Sequence, residues 1–221
     1  MSLPLVLAID TSFGPVGVAL ATFDGRLLAC KNVADAAGKQ TEILPPLVQQ
    51  AFVDAGARVD DVARVVVTVG PGAFTGIRVG LAFAKGIKVA TGALVLGVSS
   101  LECLAVQVLK SSAATDVAVV IDARRSEVYA YGVDEFGQCW LPPCLVSVGD
   151  ANRMFRERAS RRLLVAGSGG DFIDGNLGER LLPNIAQVDV AALALRGSTL
   201  GATLYPPIPA YLREPDARLP A

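Results

Sequence analysis

Two aspartates stand at matching places in this chain, Asp10 in LAIDTS and Asp122 in VVIDARRS. Each closes an apolar run, and the first is followed by two hydroxyls, Thr11 and Ser12. A carboxylate backed by hydroxyls at a strand end is a donor set suited to magnesium and phosphate oxygens. The second aspartate speaks against a working site. Arg124 and Arg125 follow it and are too bulky for a close phosphate hairpin, so they are expected to salt-bridge Glu127 or face a partner. Together Asp10, Thr11, Ser12 and Asp122 read as a vestigial site.

A glycine-rich turn, Gly70-Pro-Gly-Ala-Phe-Thr-Gly76, also invites a phosphate reading, because amides at a helix N-terminus attract anions. Its spacing fits neither standard template. Arg78, not Lys followed by Ser or Thr, stands near its end, and three residues separate Gly72 from Gly76. A tight strand-to-helix turn, with Thr75 or a neighbour as cap, explains it. Gly169 and Gly170, in a Gly-Ser-Gly-Gly run, are a weak candidate for nucleoside contact. The chain has no histidine, which removes imidazole acid–base catalysis, the Ser-His-Asp triad and His-ligated zinc. Cys30, Cys103, Cys139 and Cys144 read as ordinary reduced thiols.

The elements that must hold these residues alternate. Strands are expected over 4–10, 15–22 and 26–33, a helix over 41–55, a strand over 64–69, a helix over 75–91, a strand over 94–98 and a helix from 100 to 109. Ile9–Gly25 then aligns without a gap on Ile121–Gly137, and Ile9, Asp10, Val16 and Gly25 recur as Ile121, Asp122, Val128 and Gly137. A loop holding Trp140, Pro142 and Pro143, a helix near 149–158, a strand over 163–166 and helical signal over 188–204 follow. The tail has five prolines in 17 residues and should be extended. The expected division is an N-terminal lobe over 1–109, a C-terminal lobe over 110–204 and a Pro-rich tail over 205–221. Strands and helices alternating twice over describe a two-lobed α/β protein. The actin-like ATPase architecture of sugar kinases, Hsp70 and actin has this form, with duplicated ribonuclease-H-like subdomains. In it the aspartates of the first strands face a nucleotide cleft, and Gly167–Gly170 resembles an adenosine-contact turn.

In the helix over 75–91, a wheel sets Gly76, Gly80, Phe83, Ala84 and Ile87 inward. Arg78, Lys85 and Lys88 fall opposite, mixed with Leu81, Ala82 and Val89. Apolar groups rimmed by charge point to a protein interface, the alternative being cover by the chain's own tail or by the helix over 41–55. Apolar residues of the helix over 41–55 cover about half its circumference, wide enough for two contacts. The 221 residues are 52% hydrophobic and carry a net charge of −1, so the basic excess of a stand-alone nucleic-acid binder is missing. No basic segment precedes the first apolar run, and Ile77–Val98 is interrupted by Arg78, Lys85 and Lys88. A soluble, cytoplasmic protein without signal peptide or membrane span is expected.

GPGAFTGIRVGLAFAKGI followed by GVSSLECLA resembles the TsaB (YeaZ) family of bacteria, as do LAIDTS, IDARRSEVYA and PAYLR. The likeness runs through nearly the whole chain. It implies the actin-like fold and kinship with the catalytic protein TsaD, without catalysis, metal or cofactor of its own. ATP and magnesium would be used by partner subunits. It further implies binding to a TsaD-like catalytic subunit, with a TsaE-like ATPase. That assembly transfers a threonylcarbamoyl group from threonylcarbamoyl-adenylate to adenosine 37 of tRNAs reading codons that begin with A. The tRNA would be met indirectly, through the complex, and the chain alone would form a homodimer. The family's pairing surface uses the first two helices, here Leu44, Leu47, Val48 and Ala51 with Arg78, Leu81, Ala82, Lys85, Lys88 and Val89. On this basis Leu81→Glu or Lys85→Glu should break the heterodimer and leave the monomer folded. Gln40 departs from the family pattern, which often has histidine there. The paired metal-binding histidines of TsaD-type enzymes are absent, which counts against the old glycoprotease label. The alternative is an actin-like ATPase or kinase using Asp10 and Asp122 with Mg-ATP.

Overall fold

A computed structural model describes residues 3–111, 116–158, 163–174, 181–182 and 185–213. The chain opens with three antiparallel strands, β1 (Leu5–Asp10), β2 (Val16–Thr22) and β3 (Leu27–Val33). Helix α1 (Gln40–Ala55) leads to β4 (Val62–Thr68), and α2 (Phe74–Thr91) leads to β5 (Leu94–Val98). Both strands run parallel to β1, in the order β3-β2-β1-β4-β5. Every residue of β1 and β2 is buried. Their unbroken apolar runs are what a sheet covered on both faces requires.

The second lobe repeats the plan. After α3 (Ser100–Ser111) come β6 (Asp116–Asp122), β7 (Glu127–Asp134) and β8 (Cys139–Ser147). Next are α4 (Val148–Arg158), β9 (Leu163–Ala166), β10 (Leu181–Leu182) and α5 (Val190–Gly197). The sheet order is β10-β9-β6-β7-β8, with β7 antiparallel and β9 parallel to the central β6. The repeat seen in the sequence is therefore a repeat of sheets, and Asp10 and Asp122 end the corresponding central strands.

Three details depart from expectation. Trp140, Pro142 and Pro143 do not form a loop but lie within β8. Among the described residues this strand pairs with β7 alone, and an edge strand tolerates proline because one side of its backbone needs no partner. Helical signal over 188–204 shrinks to α5, capped by the Asp189 carboxylate accepting from Ala192 N at 3.0 Å. The helices are also exchanged between the lobes. Although β1–β5 precede residue 110 and β6–β10 follow it, α3 packs through Leu101, Leu104 and Val108 into the core of the second sheet. In return α5 packs through Val190, Leu193 and Ala194 onto the first. A side chain at Gly197 would meet Val6 and Val66 at 2.5 and 2.7 Å, so glycine lets α5 lie flat on that sheet. Arg64 of β4 then donates to the carbonyls of Gly197, Ser198 and Leu200, closing the helix end.

The described part of the tail is extended and crosses both lobes. Tyr205 O accepts from Gly97 N at 3.0 Å, and Ala210 N donates to Val69 O at 2.8 Å. Leu212 joins the second-lobe core, and Arg213 bonds the Ala123 carbonyl and Glu127. Residues 214–221, and Ser112–Thr115 between the lobes, lie outside the described residues.

Candidate functional site

A cleft of about 530 Å³ opens between the lobes, and Ser12, Phe13, Gly72, Asp122, Arg124 and Ser168 are among its walls. Asp10 is not one of them. It is buried, and its Oδ1 accepts from Ser12 N (3.0 Å), Ser12 Oγ (2.6 Å) and Thr68 Oγ1 (2.6 Å). Burial pushes its carboxyl above the usual carboxylate value, and the three hydrogen bonds pull back against that rise. Thr11 is equally buried and donates its hydroxyl to Gly76 O at 2.7 Å. Of the first triplet, Ser12 alone lines the cleft, with its hydroxyl hydrogen already given to Asp10.

The glycine turn explains this inward arrangement. A Cβ at Gly72 would lie 2.1 Å from Ser12 O, and one at Gly76 2.0 Å from Thr11 O. One at Gly80 would lie 2.4 Å from Thr11 Oγ1. These glycines let α2 press onto the loop after β1, with Ala73 N donating to Ser12 O at 2.6 Å. Ala73, not Thr75, occupies the N-cap, and no side chain caps the helix. The tight contact with Ser12 O does the fastening.

Across the cleft, Asp122 is half-buried and tied to its own hairpin. It accepts from Arg124 N at 2.7 Å and pairs with the Arg124 guanidinium at 3.4 Å, while its own N–H donates to Ser168 Oγ. Arg124, Arg125 and Ser126 have φ of 65°, 57° and 59°, a run of left-handed residues without glycine. Glu127, expected to pair with Arg124 or Arg125, is instead held by Arg213 at 2.7 Å. Gly169 meets the end of β6, where a Cβ would come within 2.8 Å of Val120. It and Gly170 sit in a backbone-packed turn behind Ser168. A magnesium–nucleotide held by the two aspartates does not fit these residues. One carboxylate is sealed beneath the floor and the other is bound to Arg124. Among the described residues no three His, Cys, Asp or Glu side chains gather as a metal-ligand set, and no helix is long and apolar enough to cross a membrane.

The second candidate is the outer layer formed by α1 and α2 over the first sheet. Four of its ten expected contact residues are corrected. Leu44, Val48, Ala51 and Leu81 are buried in the core of the first lobe. On α2 the inward stripe is Gly76, Ile77, Gly80, Leu81 and Ala84, while Phe83 and Ile87 sit half-buried at its margin. The wheel was turned by about one residue because the close backbone contact at Gly76 and Gly80 sets the helix's rotation. Leu81→Glu would therefore put a carboxylate in the core and unfold the lobe. Leu47 is half-buried, while Arg78, Ala82, Lys85, Lys88 and Val89 are exposed, Val89 to 88%.

Three exposed apolar residues were missed: Val53 on α1, Phe74 at the start of α2, and Tyr211 in the tail. Phe74 and Tyr211 meet with ring centroids 5.6 Å apart, and Arg78 lies against both. The PAYLR segment was the sequence signal for Tyr211.

A family model described as TsaD, tRNA N6-adenosine threonylcarbamoyltransferase, matches residues 34–164, more than half of the chain. The tRNA threonylcarbamoyladenosine biosynthesis protein TsaB of Escherichia coli is 34% identical over 137 residues, covering 60% of this chain and 57% of that protein. An uncharacterised Mycobacterium leprae protein, ML0378, is 40% identical over 127 residues, 57% of this chain and 34% of its own length. The chain thus matches between a third and just over half of the length of these relatives. YeaZ from Pseudomonas aeruginosa superposes with a TM-score of 0.74 at 26% identity, covering 95% of this chain and 100% of that one. The ethanolamine utilization protein EutJ of Carboxydothermus hydrogenoformans, 10% identical with a TM-score of 0.51 over 91% of each chain, shares the fold alone. Duplicated sheets, an interlobe cleft and this pattern of likeness agree: the chain has the actin-like two-lobed fold and belongs to the TsaD family, in its TsaB (YeaZ) branch.

Proposed function

We propose that this chain is a non-catalytic subunit in the making of threonylcarbamoyladenosine at position 37 of tRNA, in the cytoplasm. It docks onto a TsaD-like catalytic protein through the outer faces of α1 and α2. A TsaE-like ATPase joins them, and tRNA is met through the assembly. ATP and magnesium belong to those partners. Without them the chain pairs with a second copy through the same two helices.

The observation that carries this reading is the exposed face of α2. Arg78, Ala82, Lys85 and Val89 follow one another along it at helical spacing, with Lys88 alongside. Lys85 and Lys88 have no ion-pair partner among the described residues. Support also comes from the inward turn of Asp10 and Thr11, which takes reactive groups out of the cleft.

The test is co-purification with a TsaD-like protein, alongside an assay of tRNA modification with and without this chain. Lys85→Glu and Val89→Glu, both on exposed positions, should abolish co-purification and modification while the thermal melt of the lone chain stays unchanged. Retention of the complex by both variants would refute docking through α2.

A further inference from the structure

We propose that Phe74, Arg78 and Tyr211 together form the anchor of the α2 docking face, and that the group they receive is a side-chain carboxylate of the partner protein. This rests on the docking reading above and specifies its chemistry.

The three residues come from two distant parts of the chain. Phe74 and Arg78 lie one helical turn apart at the start of α2, and Tyr211 arrives with the tail. The Arg78 guanidinium sits 3.7 Å from the Phe74 ring centre and 5.9 Å from that of Tyr211. Its Nε donates to Tyr211 Oη at 3.0 Å. Phe74 and Tyr211 are 52% and 49% exposed. This geometry holds an arginine in place before any partner arrives, which reduces the side-chain entropy lost on binding. With Nε occupied, the two Nη groups have no hydrogen-bond partner among the described residues. A planar fork of free N–H groups matches a carboxylate bidentately, and the flanking rings offer apolar surface to that carboxylate's stem. Arginine and tyrosine are also the residues that most often dominate binding at interfaces.

Charge selects the occupant. α2 has no acidic residue, and Arg78, Lys85 and Lys88 are all exposed. Pairing through α2 with a second copy brings these cations near one another and is the weaker state, whereas an acidic face on a different protein neutralises them and displaces that copy. RNA is the weaker match. The chain's net charge is −1, and three cations on one helix are few for a phosphate backbone.

The experiment measures the Kd of the full chain for the purified TsaD-like protein at low and high salt. It uses Arg78→Lys, Tyr211→Ala and Tyr211→Phe, with Lys85→Glu as the marker of the docking face. Arg78→Lys and Tyr211→Ala should each weaken binding about thirtyfold. Tyr211→Phe keeps the ring and loses the Oη contact, so it should weaken binding about fivefold. Raising salt should weaken the wild type and Arg78→Lys to similar extents, because both keep the cation, while the gap between them, set by the planar fork, persists. Arg78→Lys and Tyr211→Phe preserve packing, so loss in these variants is not unfolding. If Lys85→Glu weakens binding but the Arg78 and Tyr211 variants do not, the anchor is overturned and the docking reading stands. If none of the four changes the Kd, both fall. If the Arg78 and Tyr211 variants abolish self-association, or tRNA binding by the lone chain, yet spare the TsaD-like complex, the assigned partner is wrong.

Discussion

Asp10 shows what a buried carboxylate does for the turn that follows it. The carboxylate is shut off from solvent and organises the turn after β1 by accepting from the Ser12 amide, the Ser12 hydroxyl and the Thr68 hydroxyl. Asp10→Ala should cost about 2–3 kcal/mol in urea denaturation at neutral pH, because buried donors lose their acceptor. Asp10→Asn keeps an oxygen there and should cost far less. The pH dependence has a definite sign. Burial raises the folded carboxyl above the ordinary 3.8, so the native chain holds the proton longer than the unfolded one. Stability from the protonated acid is fully present below 3.8 and is lost as pH rises through the folded value. Asp10→Asn should remove that loss, so its stability relative to wild type should rise between acid and neutral pH. A relative fall would mean that the hydrogen bonds outweigh burial.

At the scale of elements, glycine placement on α2 separates tight contact from free surface. Gly76→Ala would force a methyl to within 2.0 Å of the Thr11 carbonyl, and backbone cannot move aside as a flexible side chain would. It should destabilise the protein by about 3 kcal/mol or more, as overpacking against fixed atoms does. Gly86, on the same helix, faces open space with nothing within 4 Å. Gly86→Ala should stabilise by about 0.5–1 kcal/mol, the difference in helix propensity. Thermal melts of the two variants should move in opposite directions. Equal effects would mean that the loop after β1 yields to α2 more readily than this packing allows.

Over the whole molecule, the exchanged helices make the lobes one body. Glu102 on α3 pairs with Arg196 on α5 at 2.5 Å, and Tyr205 of the tail donates its hydroxyl to the same carboxylate at 2.8 Å. Gln107 of α3 adds bonds to Gln187 O and from Asp189 N. The ion pair is about one quarter exposed on each side, so part of its strength is screened. Arg196→Ala leaves Glu102 half-buried without its cation, and should cost about 2 kcal/mol. Hydrogen exchange should quicken along α3, α5 and the tail, while the centres of both sheets stay protected. Uniform loss of protection would show that the two sheets unfold together and that this seam is not a separate unit.

Much of this was legible in local pattern. Apolar runs of five to seven residues place the central strands, and helical spacing places α1 and α2. The recurring strand–Asp–strand–Gly segment reveals the duplication, because each depends on neighbours close in sequence. The glycine turn marked close approach, although what approached it, the carbonyls of Thr11 and Ser12, lies some sixty residues away. The rotation of α2 follows from that contact, which is why helical spacing alone leaves Leu81 on the surface although it lies in the core. Phe74, Arg78 and Tyr211 meet only because the tail returns across β5 and β4 to α2. Such a meeting depends on chain closure over long separations, which residue spacing along one segment does not encode.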